Sequence, residues 1–271
     1  MFEDRKIGFI GGGNMGEALV RGLVSAGLFP VDKISVYDVS SSRAEHLTSR
    51  YGIRASHSVS ELAKSSDIVV LSVKPQVMTS VLGDLRDSFS GKPLVISIAA
   101  GIPLKMLENA LPEGAAAVRV MPNAPALVLQ GASALSRGKE VSADQMEMCL
   151  ALFSAVGKAV EVEEKWMDTV TGLSGSGPAY VLLMVEALVD GGVLMGLPRH
   201  ISRELVLQTV AGTVEMLRES GKHPAEMKDV ITSPGGTTIQ GLRVLENRAV
   251  RGALVDCVEA ATKKSEELGK H

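Results

Sequence analysis

The chain has little of what several large protein classes require. Only two cysteines, Cys149 and Cys257, occur in 271 residues, too few for a disulfide framework and without the paired spacing of a zinc site. Both fall within apolar, helix-like patterns, so reduced core thiols in a cytoplasmic protein are expected. Aromatic residues make up 3% of the chain and the net charge is −3. No Lys/Arg cluster interleaves with aromatics, which argues against a nucleic-acid partner. The longest uncharged stretches, Val120 to Ser136 and Thr169 to Val185, are interrupted by Pro and Gly and by small polar residues, so no membrane span is expected. Met1-Phe2-Glu3-Asp4-Arg5 leads directly into an apolar strand rather than forming a secretory leader. What remains is ample: 45% hydrophobic content suffices for one large domain or two moderate ones.

The first apolar run, Lys6-Ile7-Gly8-Phe9-Ile10, reads as a buried strand that enters Gly11-Gly12-Gly13-Asn14-Met15-Gly16 and then a helix from Glu17 to Ala26. Strand, G-x-G-x-x-G and helix in this order form the dinucleotide-binding fingerprint. Gly11 allows the tight turn, Gly13 lets the backbone approach a pyrophosphate, and Gly16 lets helix and strand pack closely. Gly12, Asn14 and Met15 complete that loop. A second strand ends in Asp38, where an acid would bind the adenosine ribose and favour NADH. The next residues point the other way. Ser40, its neighbours Ser41 and Ser42, and Arg43 offer hydroxyls and a guanidinium for the 2′-phosphate of NADPH, although Arg43 equally suits the solvated face of a helix. Either NADPH or NADH is therefore expected as cofactor.

Strands and helices alternate up to about residue 162, with buried-type strands at Ile7–Ile10, Ile34–Tyr37, Ile68–Val73, Leu94–Ile98 and Ala116–Met121. A weaker pair, Ser133–Leu135 and Ala159–Val162, extends the sheet around a helix over Ala143–Val156. From Trp166 onward the pattern is helical only: Pro178–Met195, Pro198–Ser220, Pro224–Ile231 and Ile239–Leu268, with a break near Asn247. Proline sits in first turns and Gly196 and Gly221 where helices stop. The expected fold class is α/β: an N-terminal Rossmann-like doubly wound sheet over residues 1–163 and a C-terminal all-α dimerisation domain over 164–271. The helical part is apolar on most sides, as in Ala179-Tyr180-Val181-Leu182-Leu183-Met184-Val185, so an obligate homodimer is expected.

Open α/β sheets bind ligands at the C-terminal tips of their strands. The tips here are Ser72-Val73-Lys74-Pro75, Ala99-Ala100 and Met121-Pro122-Asn123, each a candidate wall of the nicotinamide pocket. Lys74 fits a ribose hydroxyl or a substrate carboxylate, or serves as a surface lysine capping the strand. Asn123 reads as a fixed amide facing the cleft or as a turn former, and Arg119 as a structural ion-pair partner near the sheet edge. In the C-terminal third, Ser233-Pro234-Gly235-Gly236-Thr237-Thr238 opens into the amphipathic run Ile239 to Leu245. Two glycines and a helix start make an anion cradle free of Lys and Arg, suited to a small carboxylate. The competing reading is a helix corner with a threonine cap.

Together these motifs, with Thr171-Gly172-Leu173-Ser174-Gly175-Ser176-Gly177-Pro178-Ala179-Tyr180 and Asp190-Gly191-Gly192, resemble the pyrroline-5-carboxylate reductase family over essentially the whole chain. The resemblance implies reduction of 1-pyrroline-5-carboxylate to L-proline by NADPH or NADH, in a dimer interlocked by C-terminal helices and often assembled into rings. It implies that Ser233, Gly235, Gly236 and Thr237 bind the substrate carboxylate, that Thr238 is catalytic at the ring nitrogen, and that Glu164 lines the pocket. From the sequence alone, Glu164 also fits an exposed acid, and Tyr180 a core residue. A β-hydroxyacid dehydrogenase is the nearest enzyme alternative, but Val181 falls where that class needs a lysine base. A non-catalytic dinucleotide sensor is a further alternative, and it leaves the anion loop unexplained.

Overall fold

The computed structural model describes residue 2, residues 4–89 and residues 91–269. Among the described residues, eight strands form one sheet: β1 (Ile7–Ile10), β2 (Ile34–Tyr37), β3 (Arg54–Ala55), β4 (Ile68–Leu71), β5 (Leu94–Ser97), β6 (Ala116–Met121), β7 (Gly131–Arg137) and β8 (Gly157–Glu161). Their order is β3-β2-β1-β4-β5-β6-β7-β8. The first six are parallel, β7 is antiparallel to β6, and β8 returns parallel to β7. β1, β4 and β5 are buried along their whole length, which is why they read as unbroken apolar runs rather than alternating ones.

The helices α1 (Asn14–Ser25), α2 (Ser41–Tyr51), α3 (Val59–Ser65), α4 (Met78–Arg86), α5 (Leu104–Ala110) and α6 (Ala143–Ser154) cover the sheet. Two apolar clusters result. One joins Phe9, Leu19, Leu23, Leu47 and Phe153; the other joins Ile10, Leu62, Leu71, Met78 and Leu107. Each such fully buried side chain contributes about 1.5–3 kcal/mol relative to exposure. The order in which strands are added reverses between β1 and β4, so the tips of these two strands flank the topological switch point where open α/β sheets take their ligands.

Several expectations need correction. β4 stops at Leu71, because Ser72 turns to place its hydroxyl on the carbonyls of Ile10 and Gly11. β7 and β8 are longer than the weak pair suggested, and the two-residue β3, exposed throughout, was too short to leave a pattern. Arg119 lies on β6, a strand paired on both sides, and not near an edge. Cys149 is buried, but Cys257 is only half-buried.

Beyond β8 the structure is helical: α7 (Met167–Val170), a π-turn over Thr171–Gly175, α8 (Gly177–Leu194), α9 (Arg199–Ser220), α10 (Pro224–Val230), α11 (Thr237–Asn247) and α12 (Val250–Leu268). Pro178 is the second residue of α8, in the first turn where it was expected. Proline is tolerated in that first turn, where its missing N–H needs no partner within the helix. Ser176 N–H donates to the Thr171 carbonyl at 2.9 Å across the π-turn, and the helical run, counted through that turn, extends from Glu164 to Leu194. This helix is therefore long and apolar enough to cross a membrane, contrary to the expectation that Pro and Gly break it. The expected break near Asn247 is present, at Ala249 with φ 53°.

The chain divides into two compact units: residues up to Ser176 together with the stretch from Ala260 onward, and Gly177–Glu259. In the second unit, Val189 is the buried one among the described residues of α8, while Leu182, Leu183, Leu188 and Leu194 are each more than half exposed.

Candidate functional site

In the first unit, the turn between β1 and α1 has the geometry its glycines imply. Gly11 has φ +98° and its missing Cβ would lie 2.5 Å from the Ser72 carbonyl oxygen, so no other residue fits there without strain. At Gly16 a Cβ would lie 2.6 Å from the Gly11 carbonyl oxygen, and helix and strand close together for that reason. Gly13 is different: a Cβ there would meet nothing within 4 Å. It is the N-cap of α1, its conformation is extended, and no side chain caps the helix behind it. Uncapped N–H groups and the positive end of a helix dipole thus face open space, which is the donor set a pyrophosphate requires. The loop fits a dinucleotide.

Asp38, at the tip of β2, accepts the Gly12 N–H at 2.7 Å through one oxygen and the Ser40 N–H at 2.9 Å through the other. The carboxylate is thereby fixed, with lone pairs left for ribose hydroxyls. Ser40 and Ser42 share a hydrogen bond at 3.0 Å. Arg43 is neither a free cation nor a solvated face residue. Its Nε donates to the Gly12 carbonyl and its Nη2 pairs with Glu17.

Glu17 was not among the residues expected from sequence. Its carboxylate, in the first turn of α1, also receives Tyr51 Oη at 3.0 Å, His46 Nε2 at 3.3 Å and Arg50 Nη1 at 3.4 Å. Burial would raise this carboxyl, but the hydrogen bonds from Arg43, Tyr51 and His46 hold it below its ordinary value. The signal was present: 43, 46 and 50 fall on one face of a helix opposite a lone acid.

The other tips of the first unit are mixed. Lys74 is exposed and precedes the turn opened by Pro75, and Val73 packs beneath it against the core. Ala99 is buried and Ala100 exposed. Asn123 is fixed, but by the protein itself: its Oδ1 accepts the Ala132 N–H at 2.8 Å and its Nδ2 donates to the Ser174 carbonyl at 3.0 Å. Glu164 likewise has partners. It accepts the Leu104 N–H at 2.6 Å and pairs at 3.3 Å with Arg119, which is buried and reaches Asp168 at 3.9 Å.

In the second unit, the Ser233–Gly236 turn closes through Gly236 N–H to the Ser233 carbonyl at 3.1 Å. Gly235 has φ +70° at the third position, where a turn of this kind demands glycine. Gly236, not a threonine, is the N-cap of α11, and no side chain caps that helix. Thr237 is exposed and Thr238 half-buried at the helix start. Ser233 Oγ packs against Gly236. The loop therefore presents unpartnered N–H groups flanked by hydroxyls, the arrangement that takes a small carboxylate. Tyr180 Oη donates to the Cys257 carbonyl at 3.5 Å. No group of His, Cys, Asp and Glu suited to a metal ion occurs among the described residues.

Residues 164–268 match the family described as pyrroline-5-carboxylate reductase dimerisation, and residues 6–101 match NADP oxidoreductase, coenzyme F420-dependent. The pyrroline-5-carboxylate reductase of Methanosarcina acetivorans is 47% identical over 268 residues, covering 99% of both chains. The solved pyrroline-5-carboxylate reductase from Coxiella burnetii superposes with a TM-score of 0.94 at 34% identity, over 98% of this chain and 99% of that one. The Plasmodium falciparum pyrroline carboxylate reductase, solved with NADP bound, gives 0.89 at 37% identity over 99% and 100%.

Proposed function

The chain belongs to the pyrroline-5-carboxylate reductase family, and on that premise we propose which of its residues carry the reaction. It is an NAD(P)H-dependent oxidoreductase that converts the cyclic imine 1-pyrroline-5-carboxylate to L-proline, in proline biosynthesis. A reduced nicotinamide, when bound, supplies the hydride that the imine carbon accepts. Gly11, Gly12 and Gly13, with the helix start at Asn14, Met15 and Gly16, hold its pyrophosphate. Asp38 and Ser40 take the adenosine ribose. Ser72, Val73, Lys74, Pro75, Ala99, Ala100 and Asn123 line the nicotinamide end, where Lys74 is the exposed cation.

On the substrate side, the N–H groups at Gly235 and Thr237 take the carboxylate, Gly236 holds the turn between them through its own N–H to the Ser233 carbonyl, Ser233 rims the site, and the Thr238 hydroxyl binds the ring nitrogen. The observation that carries this assignment is the glycine turn feeding an uncapped helix start. A protonated imine is already electrophilic and its product amine is basic. Fixing the carboxylate and holding a hydroxyl at nitrogen therefore does most of what the reaction needs. Glu164 acts indirectly, by anchoring Arg119 and the first turn of α5.

We place the domain boundary at 163/164, a division supported by the family match that begins at residue 164. A second copy of the chain covers the exposed apolar side chains of α8. Pairing in this way, rather than insertion into a membrane, accounts for an apolar helix in a chain with this family match. Dimers assembled into a ring, in the cytoplasm, complete the proposal. Coenzyme oxidation with purified protein and 1-pyrroline-5-carboxylate tests the activity, and binding of coenzyme without turnover would instead favour a sensor.

A further inference from the structure

We propose that Glu17 is a positioning residue that sets coenzyme choice: it holds Arg43 against the glycine loop, withdraws the guanidinium that a 2′-phosphate would need, and so biases the chain toward NADH over NADPH. The inference rests on the dinucleotide-binding reading of residues 11–16. Discrimination between the two coenzymes is made at the adenosine ribose, where an acid favours the free 2′-hydroxyl and an arginine favours the 2′-phosphate. Both residue types follow β2 in this chain, and their hydrogen bonds show which one is available. Asp38 is held at the loop by two backbone N–H groups. Arg43 is the sole Lys or Arg between Asp38 and Thr48. Its Nε is spent on the Gly12 carbonyl, its Nη2 on Glu17, and its stem packs 3.4 Å from where a Gly12 Cβ would be.

Glu17 is built to keep that hold. Four side chains from α2, namely Arg43, His46, Arg50 and Tyr51, converge on its two oxygens, and its side chain is 17% exposed. A carboxylate so surrounded does not release its strongest partner to solvent. The negative charge of Asp38 stays uncompensated toward the ribose, where it accepts hydroxyls and repels a phosphate dianion.

The experiment is a fluorescence titration of the full-length protein with NADH, NADPH and the isolated nucleotides AMP and 2′,5′-ADP, with no imine present. Wild type is expected to bind NADH more tightly. Glu17→Gln frees Arg43 and should raise the NADPH-to-NADH affinity ratio about tenfold, the worth of one charge-assisted hydrogen bond. The 2′,5′-ADP-to-AMP ratio should move with it. Adding Arg43→Gln to that variant should remove the gain, whereas a merely structural role for Glu17 would weaken all four ligands alike and leave both ratios unmoved. Should Glu17→Gln not fold, Arg43→Gln in the wild-type background decides alone. A ratio changed by less than about twofold fits a withheld guanidinium, and a tenfold loss of NADPH affinity would show that Arg43 already serves the phosphate. A wild type that prefers NADPH would overturn the inference. Binding of neither coenzyme would overturn it together with the nucleotide reading of the loop.

Discussion

Replacing Gly13 with leucine should leave the fold intact and abolish coenzyme binding, whereas replacing Gly16 with valine should damage the fold first. The two positions lie three residues apart in the same loop, so the contrast depends on local geometry alone. Gly13 has φ −61° and ψ −178°, a conformation open to any residue, and its Cβ direction is empty to 4 Å. Losing glycine at an N-cap costs from a few tenths to about 1 kcal/mol. The leucine side chain then fills the space a pyrophosphate would enter. Forfeiting two N–H bonds to a charged group, at about 1.5–3 kcal/mol each, raises the coenzyme dissociation constant at least a hundredfold by this rough account. At Gly16 an added Cβ meets the Gly11 carbonyl oxygen at 2.6 Å and Ser72 Oγ at 3.0 Å, and overpacking of that kind costs about 1–3 kcal/mol. The assay is the thermal midpoint with and without NADH. Coenzyme at about a hundred times its dissociation constant adds about 2.7 kcal/mol to the native state, a rise of roughly 5–10 °C for a chain of this size. Gly13→Leu should stay within about 4 °C of the wild-type midpoint without coenzyme and lose the rise; Gly16→Val should start lower still. A Gly13→Leu protein that still gains the full shift would refute the phosphate cradle.

Thr238→Ala should lower kcat/KM for the imine about tenfold or more while sparing the coenzyme dissociation constant, and unchanged kinetics would remove Thr238 from the mechanism. Glu17 bears on acid stability: its folded pKa lies below the ordinary 4.5, so it contributes stability above that value and loses it as pH falls through the folded value. Wild type should therefore lose stability steeply below about pH 4.5, and Glu17→Gln less steeply; equal slopes in an acid titration followed by circular dichroism would contradict the coupling. Sedimentation at micromolar concentration should find no 28.5 kDa monomer, since the exposed leucines of α8 require cover. Cys149, whose thiol burial pushes up to about 12, should resist a thiol reagent at neutral pH until the protein unfolds, with mass spectrometry locating the label.

What could be read from the sequence was whatever the chain signals locally. Buried parallel strands such as Val69-Val70-Leu71 declare themselves as apolar runs, and the β1–α1 glycines and the Ser233–Thr238 loop as spacings of permissive residues. The two-residue β3 left no period. The π-turn over Thr171–Gly175 was hidden because its small residues carry no helical period, whereas Pro178 marked the start of α8. At the site, residue types were legible and their partners were not. Arg43, Asn123 and Glu164 each looked available to a ligand, yet they are bound to Glu17, to Ala132 and Ser174, and to Arg119 and Leu104. Such pairings join segments far apart in sequence, and only the folded chain defines them.

The most direct test of the account follows the absorbance of reduced nicotinamide with purified protein, 1-pyrroline-5-carboxylate and each coenzyme in turn, with a 2-keto acid as control. The account predicts coenzyme oxidation with the imine alone, in step with the appearance of L-proline. Oxidation with the keto acid, or coenzyme binding with no turnover of the imine, would contradict it and assign the Ser233–Thr238 loop to a different anion.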